Sequence, residues 1–591
     1  MRKRVLLPLS GLLALAALNM VLGAAGASAA APRYSLADVG KYGGEPSIVS
    51  DPKGVLYDTT PEGGTILYRS KDRGKTWFKT TTADPSSGDT CVGTDQSGAV
   101  YECNLAGSQS LHPLEADSWK SVNQGRTWMY GNNPINLGGA NICGTSCQPF
   151  GVDRQWEDAY IPKGKTTKDA LVVLAYHDFY GPISIWANIS TDGGKTFGPS
   201  MNIFANGFNG PTAVVALADS ACNTVPSGAR IEKSGPHPGR IYVAWIASDP
   251  ESPATGCNVT MVQAFHNLFV AWSDDKGKSW TIALAYDAGF GHDASTPFTS
   301  FTLDNQGNPY MAFTTPGPRG NPVTCAAEST AGTVQKDPSC AYHMWVVWSK
   351  DQGKTWDGGG GSLPGSAKTA YEVDPSTKPQ TDVFPAIAAG DPGKVDVAWL
   401  GTNEIEPTDP LGKFDPGGCG GSGAPGALPF YPPTCKWNLF TGQSLDLNKP
   451  PSQAKFATSQ ATTTPMHVGD ICNLGIFCVS PASDRNLLDF ISEAVDPTTG
   501  CAHVAYADDS HKSDKLDKMR AANQISGPTV QAGHRNCAKV KVGPGGNGGH
   551  HHHHQHHHQH HHHHHHRHHR SRSHHHRAHS RRPRHARGFT G

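Results

Sequence analysis

The chain has 591 residues, 37% hydrophobic and 17% charged, with 67 glycines, 44 prolines and a formal charge of zero. Setting aside the three basic residues at the start and the eight arginines after His550 leaves 39 basic against 50 acidic residues, a net of about −11. An acidic body rich in Gly and Pro, with few long apolar helical patterns, is unlike a nucleic-acid binder and suits an all-β domain.

Residues 1–30 read as a removable export signal. Arg2, Lys3 and Arg4 form a basic start, Val5 to Leu22 an apolar run broken by Pro8, and Ala27, Ser28 and Ala29 a small-residue cleavage site. An uncleaved membrane anchor is the competing reading, since the run nears spanning length before fading into Ala and Gly. No other stretch is apolar enough to span a bilayer, so the expectation is a secreted or cell-surface protein without a stable span after cleavage. The 14 cysteines agree with export. In chain order they fall into neighbouring pairs: Cys91 with Cys103, Cys143 with Cys147, Cys222 with Cys257, Cys325 with Cys340, Cys419 with Cys435, Cys472 with Cys478, and Cys501 with Cys537. A metal site is the alternative use of these thiols, but no double C-x-x-C spacing exists.

Along residues 31–541 one template recurs: a strand ending near an Asp, a turn with Gly, then a strand rich in Val, Tyr and Trp. Its instances are Pro46 to Tyr57, Cys91 to Tyr101, Trp156 to Tyr176, Thr212 to Trp245, Phe298 to Phe313, Phe384 to Trp399 and Leu488 to Tyr506. Between them an eight-residue phrase appears five times: Ser, any, Asp or Asn, any, Gly, any, Thr or Ser, aromatic. The copies are Ser70, Asp72, Gly74 and Trp77; Ser121, Asn123, Gly125 and Trp128; Ser190, Asp192, Gly194 and Phe197; Ser273, Asp275, Gly277 and Trp280; and Ser349, Asp351, Gly353 and Trp356. Apolar residues precede each copy and an aromatic closes it, so the phrase reads as a turn between two strands. Its Asp and Ser can bond backbone groups that lack a ladder partner, and Gly supplies a positive φ.

The phrase resembles the Asp-box, the repeat of the sialidase-type β-propellers, and the resemblance spans about residues 45 to 510. It implies an all-β propeller of four-stranded blades in which the box is structural and lies on the edge remote from the central site. Seven instances favour seven blades over the six typical of sialidases, although Leu488 to Tyr506 could instead complete another blade. Blade six, about Asp382 to Ala457, shows no box. The seventh instance lacks an obvious second half, which Tyr34 to Val39 would complete by closing the ring. The loops Cys143 to Cys147, Ser248 to Cys257, Gly317 to Cys340 and Asp409 to Cys435 read as disulfide-pinned insertions.

A propeller presents its site at the central mouth, just before the first strand of each blade. Candidate ligand-binding residues there are Glu45, Asp89, Asp153, Arg154, His292, Asp293, Asp382, Asp484 and Arg485, with His177 and Asp178 following a nearby strand. An Arg at a mouth can hold a carboxylate bidentately; the same Asp and Arg pairs can equally fix the order of the blades. A sialidase, as the resemblance implies it, needs three arginines, a Tyr–Glu nucleophile and an Asp acid/base, with the first Arg in an Arg-Ile-Pro motif. That place reads Gly44, Glu45, Pro46, Ser47, Ile48, without an Arg. Arg154, Arg319 and Arg485 remain as available arginines, and Tyr160, Tyr176 and Tyr242 read as strand packing residues. No catalytic residue is assigned.

From 542 a Gly/Pro linker leads to a tract from His550 to Gly591 that holds 22 histidines, among them His550, His551, His552, His553 and His554. Its composition predicts disorder, with Zn, Ni or Cu capture by clustered imidazoles or mere solvated filler as its competing readings. The expectations are therefore a propeller binding a glycan or cell-surface protein at its mouth with no required cofactor, a glycoside hydrolase with a rearranged site, or a metal-binding protein acting through its tail.

Overall fold

Strand segments such as Leu171–Asp178 (LVVLAYHD) and Ile241–Ser248 (IYVAWIAS) do not alternate apolar with polar; they are buried at every position. A strand buried on both faces belongs to a sheet covered on both sides, as happens when sheets stack face to face. The computed structural model describes residues 31–539 except 42, 62–64, 85–87, 108–113, 132–151, 179–183, 205–207, 210–211, 220, 249–264, 289–293, 295–297, 316–341, 357–369, 375–380, 403–434, 470, 472–484, 511–516, 532 and 534–535.

Seven sheets follow one another in sequence. Blade one runs Ser47–Ser50, Leu56–Thr60, Ile66–Ser70 and Phe78–Lys79. Blade two runs Thr90–Thr94, Val100–Gly107, Leu114–Ser121 and Met129–Tyr130. Blade three comprises Val152–Tyr160, Leu171–Asp178, Ile185–Ser190 and Met201–Asn202. Blade four comprises Asn223–Ile231, Ile241–Ser248, Asn267–Ser273 and Trp280–Asp287, with Phe208–Asn209 parallel at its outer edge. Blade five has Ser300–Leu303, Pro309–Thr315, His343–Trp348 and Tyr371–Glu372. Blade six has Thr381–Ala389, Val395–Thr402, Lys436–Ser444 and Ala457–Gln460. Blade seven begins with Ser492–Val495, Ala502–Asp508 and Lys518–Ser526. The inner strand of each blade packs against the next, and the seventh packs against the first, so the ring closes as a seven-bladed β-propeller.

The fourth strand of blade seven is Arg33–Gly40, from the other end of the chain. It lies antiparallel to Lys518–Ser526 with Ala37 opposite Ala521, and Arg33 Nε donates to Ser526 Oγ at 2.9 Å. The expected closure by Tyr34 to Val39 is thus what the chain does. Tyr34 also reaches into blade six, its hydroxyl donating to Asp396 Oδ1 at 2.9 Å.

Apolar layers fill the spaces between blades. In the layer joining blades three and four, Trp245 is fully buried, stacked on Phe269 at 5.4 Å and met edge-on by Phe204 at 5.5 Å. Burying one such ring contributes at most about 4–6 kcal/mol by area.

The repeated turn shows why its residue types recur. In blade three Ser190 Oγ donates to Asp192 Oδ1 at 2.8 Å and accepts from Gly194 N at 2.9 Å. Asp192 Oδ1 also accepts from Thr196 N at 2.8 Å, and Oδ2 from the Thr196 hydroxyl at 2.6 Å. The same four bonds occur at Asp72, Asp275 and Asp351. Asn123 keeps the pattern by donating from its amide to Thr127. Two successive left-handed residues make the turn: Gly277 (φ 80°) follows Lys276 (φ 62°), and Arg73, Gln124 and Gln352 stand where Lys276 does. The strain of a left-handed side-chain-bearing residue is borne by the bonds around it.

Two expectations need correction. Thr212 does not open a strand: Thr212–Asp219 is a short helix, and the blade begins at Asn223, because TAVVALAD combines apolar spacing with helix-forming Ala and Leu. Blade six does carry a remnant of the turn: Ser444 Oγ donates to Asp446 Oδ1 at 3.2 Å, and Asp446 Oδ1 accepts from Lys455 N across a longer loop. Disulfides join Cys91 to Cys103 within blade two and Cys501 to Cys537 at blade seven, as expected. Cys222 and Cys435 are also disulfide-bonded. Cys143, Cys147, Cys257, Cys325, Cys340, Cys419, Cys472 and Cys478, together with the tail histidines His550 to His554, lie outside the described residues.

Candidate axial site

At the start of the inner strands four residues that carry side chains adopt left-handed backbone: Glu45 (φ 47°), Arg154 (φ 52°), Phe384 (φ 57°) and Leu488 (φ 57°). In blades three and six the strand register slips there, between Asp153 and Trp156 and between Val383 and Ala386. Such a bulge re-aims side chains. It turns residues that would otherwise alternate across the sheet toward a common point.

Arg154 is the hub. Its Nη1 and Nη2 donate to Glu45 Oε2 and Oε1 at 3.0 and 2.6 Å, and Nη2 reaches Asp489 Oδ2 at 3.2 Å and Asp89 Oδ2 at 3.3 Å. Asp153 stands 4.0 Å from Nε. Phe298 and Phe490 cover the guanidinium at 4.7 and 5.1 Å from their centroids, a cation–π contact on each. Arg485 pairs with Asp489 at 2.5 Å and lies 4.0 Å from Glu45. Blades one, two, three and seven thus meet on one cation that is only 4% exposed.

Four carboxylates surround two guanidiniums. Burial pushes Glu45 and Asp153 above the usual carboxylate range, opposed by Arg154, and leaves Asp89 raised to about 6. On Arg154 the burial penalty is outweighed by Glu45, Asp89, Asp153 and Asp489, so its charge is locked in. The arrangement ties blades together and, among the described residues, leaves no buried guanidinium face open to a further anion. The groups with partial exposure are Asp153, Arg485, Trp156 and Phe298.

Of the residues expected at the mouth, the fold brings together Glu45, Asp89, Asp153, Arg154 and Arg485. His177 is the cross-strand partner of Asp153, and Asp178 that of Val152. Burial depresses His177 to about 4, so its imidazole is neutral at physiological pH. Asp178 and Asp382 are fully buried within their blades. Tyr176 and Tyr242 are fully buried and hydrogen-bonded, to Asn188 and to the Gly307 carbonyl, as packing residues. His292, Asp293, Arg319 and Asp484 lie outside the described residues. Asp489, Phe298 and Phe490 are not reached from the sequence: Asp489 and Phe490 fall inside a segment that reads as strand, whereas the strand begins only at Ser492, after a left-handed Leu488.

No protein-family model and no curated protein matches this chain. Among solved structures it is similar to a polysaccharide lyase of a new family, PL25 ulvan lyase, at 12% identity over 84% of this chain and 96% of that one, with a TM-score of 0.42. A Hadza microbial sialidase aligns at 10% identity over 78% and 74%, TM-score 0.37. The intramolecular trans-sialidase from Ruminococcus gnavus aligns at 12% over 83% and 96%, TM-score 0.34. At these values none of those activities passes to this chain.

Proposed function

We propose that this chain is an exported propeller that binds a glycan at its central mouth without hydrolysing a sialic acid, its repeated turns being Asp-boxes with a structural role. The observation that carries the reading is the state of Arg154: buried, bidentate on Glu45, and within 3.3 Å of two further carboxylates. A sialidase must offer unpaired guanidiniums to the substrate's carboxylate, and here the protein's own acids hold those bonds. Half-buried Trp156 and Phe298 beside Asp153 and Arg485 supply what sugar recognition uses, an aromatic face for the apolar side of a pyranose and polar groups for its hydroxyls.

The test is a glycan array probed with the full chain, alongside a fluorogenic sialoside. The expected result is binding that falls at least tenfold in Trp156→Ala, with the thermal midpoint checked to show that the variant is folded, and no release of fluorophore. Turnover of the sialoside that disappears in Arg154→Lys would overturn the reading. Retention by a cell-surface protein but by no glycan would replace the ligand class.

A further inference from the structure

We propose a second binding site, for an acidic oligosaccharide, in a cleft of about 540 Å³ between blades three and four. It is independent of the axial reading. Tyr160, on its floor, is six residues beyond Arg154 on the same inner strand, about 20 Å away at ~3.3 Å per residue. The cleft therefore opens at the other end of the blade, where the repeated turns are.

One wall is the loop after Tyr160, which carries Lys165 and is fixed by a one-turn helix that Thr166 and Asp169 cap reciprocally. The opposite wall is blade four, with His237, Arg240 and Asp274, and with Lys276 projected from the left-handed position of the turn. Gly239 holds the floor open. Its φ is +96°, and a Cβ there would come within 3.1 Å of the Tyr160 ring, into the space a ligand would enter.

The charges in this cleft are unevenly committed. Asp274 is spent on Arg240, which donates to it from Nε and Nη2 at 2.7 and 2.8 Å. Asp169 accepts from the Thr166 amide at 3.1 Å and hydroxyl at 3.0 Å. Lys165 and Lys276 stand exposed, one on each wall, with Asp169 near enough to Lys165 to feel its charge. Two exposed ammonium groups across an opening whose volume lies within the ~300–1,000 Å³ range of small-molecule sites select an anion that is also broad. The imidazole of His237 and the phenol of Tyr160 add hydrogen-bonding partners for hydroxyls. A one- or two-ring sugar bearing carboxylate or sulfate meets all of these requirements, and a neutral sugar leaves both lysines unused.

The experiment is calorimetric titration of the full chain at low salt with a chondroitin-type disaccharide carrying one carboxylate and one sulfate, and with an uncharged disaccharide. The arginine-rich tail is present in every variant, so its contribution cancels. Lys165→Ala/Lys276→Ala is expected to weaken binding of the charged disaccharide at least tenfold, with an unchanged thermal midpoint because both side chains are exposed. Lys75→Ala/Lys354→Ala removes the same charge from the turns of blades one and five and is expected to leave affinity unchanged. No binding by the wild type, equal binding by both double variants, or equal affinity for the uncharged sugar would overturn the proposal.

Discussion

The aspartates of the repeated turns and the carboxylates of the inner blades are the same chemical group held in opposite states. At Asp72, Asp192, Asp275 and Asp351 partial burial works to raise the pKa, but hydroxyl and amide donors from Thr or Ser outweigh it and hold the acid below its ordinary range. At Asp58, Glu102 and Glu493 burial is the leading cause and no comparable supply of donors opposes it, so these acids are pushed well above theirs. Glu157 is raised to about 8 by burial despite the Ser118 hydroxyl that donates to it. Depth and donors act together: the shallow turn acids are ringed by donors and lowered, whereas the fully buried inner acids have few donors and are raised.

The sharpest way to break this contrast is at the axis. Arg154→Met should leave Glu45 and Asp89 buried without the cation they share and cost about 3–5 kcal/mol, read by urea unfolding. A smaller effect is expected from pH. For an inner acid raised above its unfolded value, the folded state keeps a proton that the unfolded state has released. Stability therefore falls as pH climbs from the unfolded value through the folded one, for Asp89 between 3.8 and about 6.

Glu493 extends that loss to higher pH, since burial and the neighbouring Asp396 push it well above its ordinary range. Glu493→Gln should flatten the alkaline slope of the unfolding free energy, and an unchanged slope would assign it elsewhere. The turn acids carry the reverse sign: their contribution is present above 3.8 and disappears as pH falls through their depressed values.

Next in size, Asp192→Ala removes the acceptors of Thr196 N, Thr196 Oγ1 and Ser190 Oγ and should cost about 1–2 kcal/mol by thermal unfolding. Asp192→Asn should cost much less, because Asn123 already performs that role in blade two. The smallest effect on stability, within about 0.5 kcal/mol, is expected for Lys165→Ala/Lys276→Ala, whose consequence should be confined to ligand binding.

The blades and their turns were legible in the sequence because each is a local event. Ser, Asp, Gly and Thr within seven residues close their own hydrogen bonds whatever the rest of the chain does. The ring closure at Tyr34 was legible by counting strands. The axial cluster was half legible. Glu45 and Arg485 precede inner strands and Asp153 and Arg154 stand at the start of one, where polar residues face the mouth, but Asp489 and Phe490 sit behind a left-handed Leu488 that no propensity for Leu predicts. The remnant turn in blade six was hidden because Asn448, Pro450 and Pro451 stand where its Gly, Thr and closing aromatic would, leaving only Ser444 and Asp446 of the pattern.

The pairing of Arg33–Gly40 with Lys518–Ser526 has a consequence for how the protein comes into being. Arg33 and Ser526 are 493 residues apart in sequence, so the first strand to be synthesised has no partner until almost everything else has been made. Blades one to six can form from neighbours within each blade, whereas the seventh and the ring itself wait on a contact between residues 493 apart. Such a contact order makes closure the slow step, and it makes completeness of the chain the condition for it. A product that stops before Lys518 retains most of its strands and lacks the one seam that turns a row of sheets into a closed body.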